Sequence, residues 1–436
     1  MRVAVLSREY PPEVYGGAGV HVEYLARELD RLVDLEIHCF GKPRTPSSGP
    51  AKVTAYQPWD RLAGDARHLS ALRTVSTDLA MAAGVEGADL VHSHTWYANL
   101  AGRLAQQLYG IPHVLTVHSL EPLRPWKREQ LGGGYEVSKL CERLAMESAN
   151  AIVAVSRGVR DDVLACYPLV EASRIRVIHN GIDTEQYRPD HGTDVLQRYG
   201  VHPSRPSVVF VGRITRQKGV PHLLDAAHQF DREAQLVLCA GAPDTPELGA
   251  EVAEKVAKLQ AERSGVIWIE KMLERREVIQ LLTNATVFVC PSVYEPQGIV
   301  NLEAMACETA VVATATGGIP EVVDDGRTGL LVPFESDRAG VARDPEAFAR
   351  DIASRVNTVL ANPALAERFG RAGRTRAVEK FGWGAIAAQT AALTAVATDP
   401  ARAAEMGKAG RRRAVEYFSW SSIAEQTMAV YRSVLT

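Results

Sequence analysis

Two carboxylates, Glu295 and Glu303, stand eight residues apart in the stretch SVYEPQGIVNLEAMA (292–306), with Gly298 between them. Acids at that interval across a glycine turn admit three readings. They are the acid/base pair of a hydrolase, two acceptors for sugar hydroxyls, or a surface turn followed by an ordinary helix. A hydrolase pair must flank one scissile bond. Here VFVCPS (287–292) reads as a strand, so Glu295 falls in the loop beyond its end. Glu303 falls about one turn inside a helix that begins near Ile299. Acids staggered in this way suit different parts of one long ligand. The backbone N–H groups of Gly298, Ile299 and Val300 at the helix start suit a phosphate or a hydroxyl-rich sugar. A sugar nucleotide carries both. Arg213 closes the run SVVFVGR, and Lys218 follows it before Gly219. The guanidinium can grip phosphate at two points and the ammonium acts as a point charge; a solvated basic turn is the plainer alternative. Near the N-terminus, Gly16-Gly17-Ala18-Gly19 separates a strand from a helix. Val20, His21 and Val22 follow where the dinucleotide fingerprint needs another glycine. This loop is therefore either a phosphate cradle or a tight strand-to-helix turn.

These residues need elements to position them. Short apolar runs alternate with helical patterns along the chain. In the first half the runs are 2–7, 35–40, 89–94, 113–119, 151–156 and 175–181; in the second they are 207–213, 234–241, 265–270, 287–292, 310–315 and 328–333. Val22, Leu25, Ala26, Leu29 and Leu32 follow helical spacing between the first two runs. Continuous apolar strands separated by helices predict parallel sheets covered on both faces. The fold class is α/β, with two facing Rossmann-like doubly wound domains joined by the polar, Gly- and Pro-bearing segment Arg188–Pro206. Ligands bind such sheets beyond the carboxyl ends of the strands. The expected boundaries are 1–185 for the first domain, 186–206 for the linker, 207–415 for the second domain and 416–436 for a terminal helix. The tail holds a repeat: Asn362–Thr390 returns as Asp399–Thr427. Partial duplication of a helical segment explains it, with Trp383 and Trp420 as equivalent core anchors.

Composition narrows the function classes. The chain has 436 residues and a formal net charge of −3, with no long basic stripe, so nucleic acid is not an expected partner. Arg411-Arg412-Arg413 reads as a solvated helix face. The six cysteines are scattered without a C-x-x-C, which suits buried thiols in a reducing compartment. No run approaches a membrane span and no apolar signal core opens the chain. The expected location is cytoplasmic. His92 and His94 share a strand face, but no Cys or acid lies beside them. They read as cleft-lining histidines rather than metal ligands, and no metal or other cofactor is expected.

The sequences GRITRQKG (212–219) and EPQGIVNLEAMACETAVVATATGGIPEVV (295–323) resemble the retaining glycosyltransferases of family 4, which have the glycosyltransferase B fold. The Glu295/Glu303 spacing, the Arg213/Lys218 pair, the glycine loop and HNGID (179–183) all match, over nearly the whole chain. Within the family, REYPPEVYGGAGVHVEYLARELDRL, VHSHTWYANLAG and HSLEPLRPWKREQLGGGYEVSKLCERLAMESA resemble the actinobacterial α-maltose-1-phosphate synthases, formerly called glycogen synthases. The resemblance implies an N-terminal acceptor domain and a C-terminal donor domain. It implies transfer of glucose from ADP-glucose (or UDP-glucose) to glucose 1-phosphate or to an α-glucan. Arg213 and Lys218 would hold the donor diphosphate, Glu303 the ribose, and Glu295 with Gly298, Ile299 and Val300 the glucosyl hydroxyls. His118 would contact the transferred sugar near its reacting carbon, and Gly17 to Gly19 would lie against donor phosphate or acceptor. The catalytic set is then His118, Glu295, Arg213 and Lys218. The acceptor side would use His94, Trp96, Tyr135, Arg124, Lys127, Arg128 and Lys139. Read from the residues themselves, the basic loop around Trp126 is either a solvated turn, the plainer alternative, or the place where some of Arg124, Lys127 and Arg128, or else Lys139 with Tyr135, take the acceptor's phosphate. Two departures stand out. His94-Thr95-Trp96 lacks the acid that glycogen synthases carry in this motif, and Tyr15-Gly16-Gly17 lacks their lysine. The rival readings are a glycogen synthase that elongates α-glucan and a nucleotide-sugar-binding protein without turnover. No residue selects ADP over UDP or fixes the assembly, for which a homodimer is carried as an expectation. The terminal helix, by the same resemblance, crosses back to the N-terminal domain.

Overall fold

Alternate residues of each strand point to opposite faces of a sheet, so a strand apolar at every position must be covered on both sides. The computed structural model, which describes residues 1–14, 16–44, 52–337 and 341–398, shows this arrangement twice. One unit comprises Met1–His179 and the segment from Trp383; the other is Asn180–Gly382. The first holds β1 (Arg2–Ser7), β2 (Asp34–Phe40), β3 (Lys52–Tyr56), β4 (Leu90–His94), β5 (His113–Val117), β6 (Ala151–Ala154) and β7 (Ile175–Val177). They form a sheet in the order β3-β2-β1-β4-β5-β6-β7. Val3 and Val5 of β1 enter one core cluster, while Ala4 and Leu6 enter another on the opposite face. The second unit holds β8 (Ser207–Arg213), β9 (Gln235–Gly241), β10 (Val266–Ile269), β11 (Val287–Cys290), β12 (Ala310–Thr314) and β13 (Gly329–Val332), in the order β10-β9-β8-β11-β12-β13. Val208 and Phe210 pack on one face, and Val209 with Phe288 on the other. All the strand pairings of both sheets are parallel.

In each unit the first strand is flanked by the second on one side and by a strand much later in the chain on the other. The switch points are β1/β4 and β8/β11. Helices leave a switch point toward opposite faces, so the loops at its carboxyl end stay open to a ligand. The expected site residues follow these strand ends: the glycine loop after β1, His94 ending β4, Arg213 ending β8 and Glu295 in the loop after β11.

Three boundaries differ from the sequence expectation. The edge strand β3 was not expected, because Lys52–Tyr56 is short, partly exposed and lacks a continuous apolar run. The segment expected as a linker belongs to the second unit, which starts at Asn180. It carries a short helix, Asp194–Arg198, whose Val195 and Leu196 are buried; the Val195 N–H donates to Gln280 Oε1 at 2.8 Å. Finally, the chain returns to the first unit at Trp383, well before residue 415. The Pro363–Phe381 helix lies on the Ile299–Ala306 helix, where a Cβ on Gly370 would sit 1.9 Å from the Glu308 carbonyl oxygen. The Trp383–Thr398 helix instead packs on the Gly17–Leu29 helix of the first unit. Trp383 stacks on Tyr24 at 5.7 Å and meets His21 edge-on at 5.3 Å. The returning helix thus belongs to the first repeat copy. The second copy, with Arg411-Arg412-Arg413, Trp420 and the expected terminal helix, lies outside the described residues, as does Tyr15.

Trp383 is 6% exposed. Its truncation to Ala should destabilise the first unit by about 3–5 kcal/mol, read in urea melts, whereas Trp383→Phe should cost clearly less.

Candidate active site

Parallel pairing of β8 with β11 brings the strand-end cation and the loop acid of the second unit together. Lys218 ends a one-turn helix, Arg216–Lys218, whose cap Thr215 accepts the Lys218 N–H at 3.2 Å. The next residue, Gly219, has φ +65, and a Cβ there would lie 2.1 Å from the Pro291 carbonyl oxygen. Only glycine lets this turn press against the loop after β11. As a result Lys218 Nζ reaches Glu295 Oε2 at 2.6 Å, and Ser292 Oγ donates to the same oxygen at 3.1 Å. Burial pulls the Lys218 ammonium toward deprotonation, but Glu295, Cys290 and Glu303 outweigh it and the ammonium is held above its ordinary value. Arg213 makes a 2.5 Å ion pair with Asp244.

The Glu295 loop is clamped from behind. The Gly318 N–H donates to the Glu295 carbonyl at 3.0 Å, and a Cβ on Gly317 would meet that carbonyl oxygen at 2.0 Å. Gln297 exchanges two hydrogen bonds with the Asn180 backbone, at 2.5 and 3.0 Å. Gly298, with φ +88, starts the Ile299–Ala306 helix and offers no side-chain cap. The first-turn N–H groups therefore open onto the loop, an arrangement that favours an anion or a hydroxyl oxygen. Glu303 serves a different partner from Glu295: it accepts a side-chain hydrogen bond from Tyr187, and desolvation pushes its carboxyl up to about 7. The two acids are therefore not a matched pair around one bond.

In the first unit the histidines form a cluster at the β4 and β5 ends. His94 Nδ1 lies 3.1 Å from His118 Nε2, and His21 meets His118 edge-on at 4.6 Å. One ligand atom from each of these three rings falls within 4.8 Å of the others. His92 Nε2 bonds Thr116 Oγ1 at 2.8 Å. Burial keeps the rings neutral: His118 is pulled down to about 3, His92 to about 4, and His94 well below its ordinary value. They act as hydrogen-bonding dipoles, not as charges. The glycine loop holds an internal carboxylate: Gly16 N–H donates to Glu9 Oε2 at 2.9 Å, and a Cβ on the buried Gly19 would sit 2.5 Å from that oxygen. Gly17 is exposed at the helix start.

Several residues expected on the acceptor side are engaged with partners inside the first unit. Trp96 is 2% exposed and packs with Ala71, Leu131, Tyr135 and Cys141, so it is a core residue. Tyr135 is also buried, its hydroxyl donating to the Glu121 carbonyl at 2.6 Å. Lys127 is turned inward to Glu121 Oε1 at 3.2 Å. Arg128 and Lys139 both pair with Glu136. Arg124 Nη1 bonds Ser119 Oγ at 3.2 Å, beside His118. Sequence reasoning missed Asp244, Ser292, Gln297 and His21. Only Gly317-Gly318, beneath Glu295, left a visible trace, in the TGG turn.

Because the folded-state carboxyl of Glu303 is raised from 4.5, ionising it between pH 4.5 and 7 costs stability that the unfolded chain does not lose. Glu303→Gln should therefore raise the melting temperature by a few degrees at pH 8 and leave it nearly unchanged at pH 4.5. Equal shifts at both pH values would show that desolvation of this carboxyl is not the cause.

Residues 15–186 match the family described as Glycosyltransferase Family 4, and residues 205–357 match Glycosyl transferases group 1. The chain is 56% identical over 393 residues to α-maltose-1-phosphate synthase of Mycolicibacterium smegmatis, covering 89% of this chain and 98% of that protein. Among solved structures, sucrose-phosphate synthase from Thermosynechococcus elongatus superposes with a TM-score of 0.73 at 24% identity, over 90% of this chain and 98% of that one. HepE from Anabaena in complex with UDP-glucose does so with a TM-score of 0.71 at 21% identity, over 91% and 99%. These likenesses give the two parallel-sheet units the glycosyltransferase B fold. Among the described residues no helix is long and apolar enough to cross a membrane. With both of its sheets, its Arg213/Lys218 turn and its Glu295/Glu303 loop accounted for, the chain is a glycosyltransferase and belongs to family 4.

Proposed function

We propose that the protein transfers glucose from ADP-glucose to glucose 1-phosphate with retention of configuration, giving α-maltose 1-phosphate and ADP. The observation that carries this reading is the 56% identity to an α-maltose-1-phosphate synthase along 98% of that protein's length. In the reaction the bond from the sugar's anomeric carbon to the diphosphate oxygen breaks. A bond from the acceptor's O4 to that carbon forms on the same face, and the O4 proton passes to the departing diphosphate. Lys218 and Arg213 hold that diphosphate and stabilise the charge it gains. Glu295 holds glucosyl hydroxyls, Glu303 the ribose, and neutral His118 donates or accepts a hydrogen bond at the transferred sugar. Catalysis by position and preorganised charge supplies most of the rate in such a scheme. All six cysteines are free thiols, in keeping with a cytoplasmic location.

The Lys218–Glu295 pair supports a division of labour. The ammonium orients the carboxylate that holds the sugar while presenting positive charge to the leaving group. Lys218→Ala should lower kcat roughly 10²–10³-fold, the range for loss of one preorganised stabilising group, with a small change in the KM of the acceptor. The product decides the function. Labelled ADP-glucose with glucose 1-phosphate should give an α-linked disaccharide phosphate by NMR. Polymer formed on glycogen with no disaccharide phosphate would make the protein a glucan synthase, and binding without product would make it a nucleotide-sugar-binding protein. ADP-glucose and UDP-glucose offered in competition decide the base preference.

A further inference from the structure

Around Tyr97 and Glu121 of the first unit, positive charge exceeds negative. Arg8, directly after β1, holds its guanidinium carbon 4.2 Å from the centre of the Tyr97 ring, and Lys127 Nζ lies 5.3 Å from the same centre. Arg124 Nη1 is 3.8 Å and Lys127 Nζ 3.2 Å from one oxygen of Glu121. Two cations thus meet one carboxylate, and a third, Arg8, shares the Tyr97 ring with Lys127. That carboxylate is already engaged, since Ser138 Oγ donates to its other oxygen at 2.8 Å. The nearby Glu142 adds little negative charge. Burial and the neighbouring Glu121 push its carboxyl up to about 8, and it accepts the Glu121 N–H at 2.9 Å. Among the described residues Arg8 makes no ion pair, and Arg124 Nε is a buried donor with no hydrogen-bond partner. A buried, unpaired donor and an excess of about two positive charges are costly in a protein unless an anion completes them.

We infer that Arg8, Arg124 and Lys127 form a phosphate-binding subsite for the acceptor, with Tyr97 as the platform that holds Arg8 and Glu121 as the internal anchor that aims Lys127. The inference rests on the proposed acceptor, glucose 1-phosphate, and assigns the residues that select it. A dianionic phosphate matches the excess charge, and a neutral glucan end does not. The subsite is placed suitably for the reaction: Arg124 is bonded to Ser119, the residue after His118, so a phosphate held there keeps the far end of a single hexose beside the cluster that meets the transferred sugar. Lys127 contributes from a buried position and Arg8 from an exposed one. Arg128 and Lys139, which share Glu136, stand outside the subsite.

Arg8 is exposed, so Arg8→Gln tests the subsite without disturbing the core. Arg8→Gln and Arg124→Gln should each raise the KM for glucose 1-phosphate about 10- to 100-fold, the loss of one charged hydrogen bond. The KM for the nucleotide sugar should stay the same, and Arg8→Lys should recover part of the loss. A parallel rise in the donor KM would assign the subsite to the donor's diphosphate and overturn the inference. An unchanged acceptor KM in an enzyme that makes the disaccharide phosphate would overturn it while the proposed function stands. Calorimetric titration with inorganic phosphate separates the two ideas from the other side. Binding by the wild type that Arg8→Gln abolishes, in a protein that does not use glucose 1-phosphate, would retain the phosphate site and reject the proposed acceptor. Absence of Arg8-sensitive phosphate binding together with unchanged kinetics rejects the subsite outright.

Discussion

The second unit is organised around one ion pair, Lys218 with Glu295, held at 2.6 Å across the β8/β11 switch point. Both side chains are substantially withdrawn from water, at 25% and 9% exposure. Such a pair contributes little net stability, because desolvating two charges offsets most of their attraction. Its effect is directional. The ammonium cannot leave without stranding a buried carboxylate, so both groups are fixed at the strand ends. The local backbone is shaped to allow this. Gly219 lets the cationic turn approach Pro291, Gly317 lets a second turn pass under the Glu295 carbonyl, and Gly298 starts a helix with its N–H groups toward the loop. Each of the three has a positive φ, and at Gly219 and Gly317 a Cβ would also strike backbone oxygen.

The first unit solves a different problem. It places four imidazoles, His21, His92, His94 and His118, in one packed cluster. Like-charged rings so close would repel, and burial removes the water that could screen them. His92, His94 and His118 are neutral as a consequence, and the rings offer hydrogen bonds whose direction is set by packing, with Trp383 closing one side against His21. Positive charge gathers around Tyr97 and Glu121, next to the rings through Arg124 and Ser119. Both units therefore set cations beside acids of their own, and the first adds neutral polar rings next to them. Positioning groups before a substrate arrives, rather than moving them during the reaction, is what the low dielectric of both places rewards.

Much of this was legible before any coordinates. Twelve of the strands lie within the apolar runs or within a residue of them, since a strand buried on both faces is apolar at most of its positions. Gly-rich turns after strands marked where ligands could approach. The Glu295/Glu303 spacing, with a glycine between, placed one acid on a loop and one on a helix, and they are found there. Edge strand β3 escaped because an edge needs little apolar surface. Trp96 was expected on the acceptor side and proved a core residue, because an aromatic at a strand end has the same sequence signature whether it turns in or out.

What the sequence alone determined is the set of local geometries: two series of parallel strands, the cationic turn, the glycine-started helix and the family to which they belong. These depend on residues near one another in the chain. Which charge meets which was settled only by the tertiary structure. Lys127 and Arg128 are adjacent in sequence, yet one is buried against Glu121 and the other exposed toward Glu136. Arg213 and Lys218 share a turn, yet their acids come from different strand ends, Asp244 after β9 and Glu295 after β11. The tail divides at Gly382, one helix lying on the Ile299–Ala306 helix and the next on the Gly17–Leu29 helix. Electrostatic energy depends on distance and on exclusion of water. Both are properties of the folded pairing and cannot be read from position along the chain.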